Sequence, residues 1–418
     1  MRCFALLYCL LIAAPALADK PESSWHQWRG PNRDGRSTET GLLSRWPTAG
    51  PKLIWQAKGL GTGYASVVVA DGKVFTIGKN KQNVVYAVAL SLENGKEVWR
   101  TKIGKSGRMP LSTPTYHQGR LYTLDPDGKL YDLDAKKGGI RWTRNLPSEF
   151  GARLMNGRGH AESPLIDGDK LICTPGTPQA VLVALDRKKG SVIWKATMPK
   201  FGKVTTVGAG FSSIVMSNGG GVKQYVQFVG RGIVGVSAEG KFLWGYDRLA
   251  KAPANIPTPV VSGDYVFCAN GYGNGSALLK LHADGKNKVR MEEVYFLDGG
   301  RFQNHHGGMI LLGKYLFAGH GSNNGLPTCL EFASGKVRWK RRGPGTGSAA
   351  IVYADKHLYF RYQNGVVALI QANPKGYRLR GKFRIPTAGT DSWSHPVVSG
   401  GRLFLREKDR LYVHDIKR

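Results

Sequence analysis

Acidic residues are scarce in this chain. Its 418 residues include 29 Asp and Glu against 60 Lys and Arg, a formal net charge of +31 at pH 7. Such a surface favours anionic surroundings: acidic polysaccharide, an anionic lipid surface or nucleic acid. The basic residues are spread through turns, and no nucleic-acid-binding motif accompanies them. Nucleic acid is therefore not the expected partner, whereas a protein or a polyanionic surface is. Cysteine is also rare. Of five, Cys3 and Cys9 fall near the start, leaving Cys173, Cys268 and Cys329. Three is odd, none is adjacent to another, and the spacing matches no zinc pattern. They read as buried thiols in apolar strands, with one disulfide of unassigned pairing as the alternative. Long helical periodicity is missing, and so are a strand–GxxxxGK[ST]–helix phosphate loop and a G-x-S-x-G elbow.

One apolar run stands out, MRCFALLYCLLIAAPALAD at the start. It is too short and wrongly flanked for a membrane span. It reads as a secretory signal over residues 1–18, cleaved after Ala18. Cys9 lies inside the apolar stretch, so no lipid anchor is expected. The expectation is export to the periplasm or beyond, with peripheral membrane contact at most. Residues 19–50 follow as a lead-in with three Trp (Trp25, Trp28, Trp46), expected to pack in order on the surface of the domain.

What the chain has in abundance is turns, with 56 Gly and short runs rich in Val, Tyr, Leu and Ile. KLYDLDAKKGGIRW, ending at Trp142, is one β-hairpin: strand, tight turn, strand. Similar hairpins end at Trp99, Trp194, Trp244 and Trp339. With Trp55, Phe296 and Phe383 added as strand ends, the period is roughly 40–50 residues, the mark of propeller blades. The final unit supplies only three strands, and PKLIW near the start supplies the fourth. The expected fold is all-β: residues 51–418 form an eight-bladed β-propeller of four-stranded antiparallel blades, closed by an N-terminal strand. Closure removes the edge that an open sheet exposes. Each indole is expected to dock on the next blade with its N–H near a turn carbonyl.

The hairpins AVALSLENGKEVW, YDLDAKKGGIRW, ALDRKKGSVIW and LEFASGKVRW resemble the pyrroloquinoline-quinone (PQQ) repeat family. The resemblance runs from Pro51 to the C-terminus. WHQWRGPNRDG, NHHGGM, GHGSNNGLPTC and RGPGTGSAA are similar, more narrowly, to exported bacterial proteins of polyvinyl-alcohol-dehydrogenase-like type. The resemblance implies two different functions. Quinoprotein alcohol dehydrogenases of the family hold PQQ over the axis between a Trp floor and a vicinal disulfide. They add Ca2+ on carboxylate and amide ligands and an Asp base. This chain has no adjacent Cys pair. The outer-membrane-assembly lipoproteins of the family bind no quinone and act as interaction scaffolds; this chain lacks their lipid-attachment Cys.

Polar residues before each innermost strand would ring one mouth of the channel: Tyr64, Ser66, Thr113, His160, Glu162, Asn255, Thr258, His305, His306, Ser348, Trp393 and His395. His160, Glu162, His305 and His306 are the catalytic candidates. His160 with Glu162 reads as an acid–base pair or as an ordering element of its long loop. Imidazoles of His160, His305 or His306, and His395 would suit Zn, Cu or Fe; the commoner use of such histidines is to cap loops, and no metal is expected. Ligand-binding candidates are Tyr64, Arg153, Arg158, Asn255, Arg301, Asn304, His320, Trp393 and His395. Arg153, Arg158 and Arg301 would suit a carboxylate or sulfate. Trp393 would stack a sugar or quinone ring. The expected function is a monomeric exported binding or assembly scaffold without quinone. The alternatives are a PQQ- and Ca2+-dependent alcohol dehydrogenase and an acidic-polysaccharide-binding or -cleaving propeller.

Overall fold

The computed structural model describes residues 24–250 and 253–418. The leader, and the cleavage point expected within it, lie outside the described residues. Eight four-stranded antiparallel sheets follow one another along the chain as blades of a propeller. Blade one is Val68–Ala70, Lys73–Lys79, Val84–Ser91 and Glu97–Lys105, running from the axis outward. Blade eight takes Val397–Ser399, Arg402–Glu407 and Arg410–Asp415 from the C-terminus and Leu53–Ala57 from near the start. Trp55 sits opposite Val413 in that latch. The apolar core lies between blades: Phe75 and Ala89 of blade one, for example, share a cluster with Leu121 and Leu133 of blade two.

The indole docking follows the sequence pattern in five blades. Nε1 of Trp55, Trp99, Trp142, Trp194 and Trp339 donates to the carbonyl of Leu92, Ala135, Arg187, Ala238 and Asn373, each in the following blade. Every such Trp sits just after a β-bulge, which tilts it toward its neighbour. The glycine of the next turn does two things. It takes positive φ, as the turn demands, and its missing Cβ is where the indole rests. A Cβ at Gly95 would lie 2.5 Å from Trp55, and one at Gly138 2.7 Å from Trp99.

Four details differ from expectation. The outer strands run past the Trp rather than stopping at it; in blade one the strand continues to Lys105. In blade five the plate after the bulge is Tyr295, not Phe296, and its hydroxyl bonds the Phe332 carbonyl 2.7 Å away in blade six. In blade seven the position after the bulge is Gly381, not Phe383. Trp46 of the lead-in fills that seat, with its Cβ 2.6 Å from where a Gly381 Cβ would stand. Blade four keeps Trp244 in position but turns the indole onto Gln224 of its own blade.

The larger difference concerns the lead-in, which is not a surface strap. Trp25 exchanges backbone hydrogen bonds with Val69 of blade one. The His26 carbonyl accepts from Tyr116 of blade two. Arg33 reaches the Ser163 and Pro164 carbonyls at blade three. Trp28 reaches Thr258 at blade five, and Arg29 the Met309 carbonyl of blade six. Gly35 and Ser37 pair with Tyr353 of blade seven. One short segment thus touches the inner strands or loops of six blades and plugs the axial channel. Trp25 and Arg29 are each 4% exposed. The loop before blade three also contains a helix, Leu146–Phe150, whose N-cap Asn145 side chain accepts from the Ser148 N–H.

Candidate functional site

A ladder of hydroxyls ties the inner ends of blades one to five together. The N–H of Ser66 donates to Thr113, that of Thr113 to Ser163, that of Ser163 to Ser213, and that of Ser213 to Thr258. Ser66, Thr113 and Thr258, expected at the mouth, are thus largely fasteners between blades. Blades six to eight break the ladder and place histidine and tryptophan there instead. The result is an axial cavity of about 760 Å3, plugged below and open above.

Its floor is Trp28, Arg29 and His395. The Trp28 and His395 rings lie 4.5 Å apart. His395 Nε2 donates to the His306 carbonyl at 2.9 Å, which leaves Nδ1 as a bare acceptor. Burial drives the His395 pKa down to about 3 and holds that of His306 well below its usual value. Both rings are neutral at pH 7. Arg29 donates through Nη2 to the Asp34 and Met309 carbonyls. Its Nη1 has no partner among the described residues, and neither have Trp393 Nε1, His306 Nε2 and His395 Nδ1.

One wall packs Tyr64 against Trp393 with ring centres 4.7 Å apart and planes tilted by 42°, and the Tyr64 hydroxyl donates to Asp391. Burial and that carboxylate push the Tyr64 pKa up to about 12. The opposite wall carries a chain, Ser348–His305–Tyr272, with both links at 2.8 Å. Burial lowers the His305 pKa to about 4, so its ring relays hydrogen bonds as a neutral imidazole. Arg108 and Arg158 stand at the rim, and Met109, Leu111, Phe211 and Ile256 make an apolar middle. No Asp or Glu lines the cavity among the described residues.

Of the candidates from sequence, Tyr64, Arg158, Thr258, His305, His306, Trp393 and His395 line this cavity together. The others stand elsewhere. His160 is buried with Nδ1 unpartnered, and a Cβ on Gly128 would touch its ring. Glu162 is buried too, accepting from Thr174 and Gln227 rather than from His160. Desolvation pushes its pKa up to about 7. Asn255 ties Asn270 to the Val229 carbonyl. Asn304 donates to the Gly319 carbonyl. His320 sits between Gln303 and Lys340. Arg153 and Arg301 are exposed and are not among the lining residues. His160 is therefore not gathered with the other histidines, and no cluster of three metal-ligating side chains occurs among the described residues. Cys173, Cys268 and Cys329 are buried free thiols.

Sequence reasoning missed Trp28, Arg29, Arg108 and Tyr272. The signal for the first two was present: WHQWRGPNRDG crowds aromatics and arginines into a run of turns, which a mere surface strap does not need.

The ring of blades and their plate-and-glycine hairpins define a PQQ-repeat β-propeller. A family profile described as outer membrane protein assembly factor BamB matches residues 81–341, and the chain belongs to that family. Solved structures share the fold at low identity. BamB from Moraxella catarrhalis superposes with a TM-score of 0.60 at 14% identity, over 88% of this chain and 99% of that one. A europium-containing methanol dehydrogenase gives 0.67 at 11%, over 93% and 90%. The quinohemoprotein alcohol dehydrogenase of Comamonas testosteroni gives 0.63 at 13%, over 94% and 80%. The chain is also 24% identical over 258 residues to tetrathionate hydrolase of Acidithiobacillus ferrooxidans, 56% of this chain and 48% of that protein. It thus spans about half the length of that curated relative. Among the described residues, no helix is long and apolar enough to cross a membrane.

Proposed function

We propose that this chain is an exported binding propeller that takes a small ligand into its plugged axial cavity and does not oxidise alcohols through a calcium-bound quinone. The observation that carries this reading is a formed cavity lined by arginine, histidine and aromatics without one carboxylate. Ca2+ is held by hard oxygen ligands, usually including carboxylates. An alcohol-oxidising site also needs a base that can accept the hydroxyl proton. His305 is engaged on both nitrogens, and the free nitrogens of His306 and His395 belong to rings whose basicity burial lowers. The residues present do not fit that calcium–quinone arrangement, and the thiols that would have to clamp a quinone lie apart, in blades three, five and six. The test is direct. The purified exported form is mixed with PQQ and Ca2+ and assayed for bound quinone absorbance and dye-linked alcohol oxidation. Neither is expected; saturable micromolar binding with turnover would overturn the proposal.

A second reading has its own observation. Ile54, Val98, Val192 and Ile193 are exposed on outer strands beside the docking Trp residues. A protein partner that lies along the propeller's side would cover them. In-cell cross-linking of a V98E/I193E variant tests this, since an unchanged cross-link pattern removes the side as the docking face.

A further inference from the structure

We infer that the ligand of the axial cavity is an anion with an apolar body, an alkyl or aryl sulfonate or carboxylate, whose acid group settles over Arg29. The inference rests on the cavity being a binding site, as proposed above, and adds its chemistry.

Arg29 is the central observation. It is a guanidinium 4% exposed, and no carboxylate pairs with it among the described residues. Its contact with Asp34 is to the backbone carbonyl, not the side chain. Nη1 is left without a partner. The Asp34 charge acts on it only from beyond ion-pair distance. A buried cation without a counter-charge in contact is costly, and removing water from around it strengthens its field. An anion on the floor offsets both the charge and the missing hydrogen bond. Two more unpartnered groups line the same cavity. Trp393 Nε1 can only donate, and His306 Nε2 donates in one of its two tautomers. Gly308 keeps this place open, since a Cβ there would lie 1.7 Å from Arg29 Nη1.

Two further features agree. Arg158 stands exposed at the rim and enters no ion pair among the described residues, so it can meet the anion on entry. The Ser348–His305–Tyr272 chain can reverse. With the Ser348 hydroxyl donating to Nδ1 and Nε2–H donating to Tyr272, the phenol O–H is free to donate into the cavity. Between floor and rim the walls are apolar, which selects a hydrophobic body over a bare inorganic ion. The floor residue comes from the lead-in, so ligand binding and docking of the plug must be linked.

The test uses the quenching of Trp28 and Trp393 fluorescence by four probes: 4-toluenesulfonate, 4-toluate, tetrathionate, and neutral 4-methylbenzyl alcohol. Either aromatic acid is expected to bind saturably, at least tenfold tighter than the alcohol, with affinity falling as salt rises. Tetrathionate, an inorganic dianion without an apolar body, is expected to bind at least tenfold weaker than the aromatic acids, and binding as tight as theirs would overturn the selection for an apolar body. R158Q, an exposed site with no structural bonds from its side chain, should weaken acid binding about tenfold and leave the alcohol unchanged. R29K keeps the charge but loses the fork, and should weaken the acids while the melting curve reports whether the plug stays docked. If the alcohol binds as tightly as the acids and R158Q changes nothing, the anion inference is wrong although the cavity remains a binding site. If no probe binds at millimolar concentration, the cavity reading falls with it.

Discussion

Trp46 and Trp99 hold the same kind of seat, one supplied by the lead-in and one by a blade, and they differ in one atom's surroundings. Both are nearly buried, at 4% and 8% exposure. Trp99 Nε1 donates to the Ala135 carbonyl at 3.1 Å, whereas Trp46 Nε1 has no partner among the described residues. Each ring buries on the order of 200 Å2, which at ~25 cal/mol per Å2 is about 5 kcal/mol as an upper bound. Trp46→Ala should therefore cost about 3–5 kcal/mol, the usual range for a buried Trp. The Phe variants separate packing from hydrogen bonding. Trp46→Phe loses roughly 1 kcal/mol of area but removes an unpaired buried N–H, itself worth ~1–3 kcal/mol, so the net runs from zero to about 2 kcal/mol of stabilisation. Trp99→Phe loses the same area and the bond as well, about 2–3 kcal/mol in all. Urea unfolding followed by far-ultraviolet circular dichroism reads both as shifts in midpoint. Equal shifts for the two Phe variants would refute the hydrogen-bond argument. A silent Trp46→Ala would refute the docking of the lead-in altogether.

Two other predictions concern the turns and the pH response. Gly138→Ala and Gly119→Ala both impose positive φ on alanine, at 78° and 74°, which costs about 1–2 kcal/mol. Only the Gly138 Cβ would strike an indole, so that variant should lose a further ~1–3 kcal/mol in the same unfolding assay; equal losses would mean the glycine is not the seat of Trp99. His160 has a folded pKa depressed by burial to about 4, against 6.5 when unfolded. Its contribution to stability is present above pH 6.5 and is lost as pH falls toward 4, on the order of 3 kcal/mol in total. The melting temperature of His160→Gln should fall less steeply than wild type across that window, and parallel curves would show that the ring is not held neutral.

The repeat was legible because each blade solves its packing problem locally. A strand of alternating character, a Gly turn and a flat ring three or four residues later are one cooperative unit, and the unit recurs. The closing strand was legible for a related reason: three strands at the end and one spare at the start leave a single way to remove the edge. Where the pattern was misread, a bulge was responsible. It shifts register by one residue, so Tyr295 rather than Phe296 faces the next blade. Gly381 could not be recognised as a plate position because its plate, Trp46, lies far away in the chain.

The candidate site was half legible. Spacing from blade to blade correctly carried Tyr64, His305, His306, Trp393 and His395 to the axis, because innermost strands begin at equivalent depths. The same reading also named His160, Glu162, Asn255 and Asn304, which lie in the loops before the innermost strands and are buried there, three of them tied to groups of their own and neighbouring blades. Nothing periodic marked Trp28 and Arg29. The amino-acid order by itself determined the ring of eight sheets, since each hairpin's strand pattern, turn and docking plate are encoded within a few residues. Only the tertiary structure decided that the lead-in would stop the channel and put an unpaired guanidinium on its floor. That outcome depends on contacts with six blades brought together by ring closure, and no local pattern encodes a meeting of partners so distant in the chain.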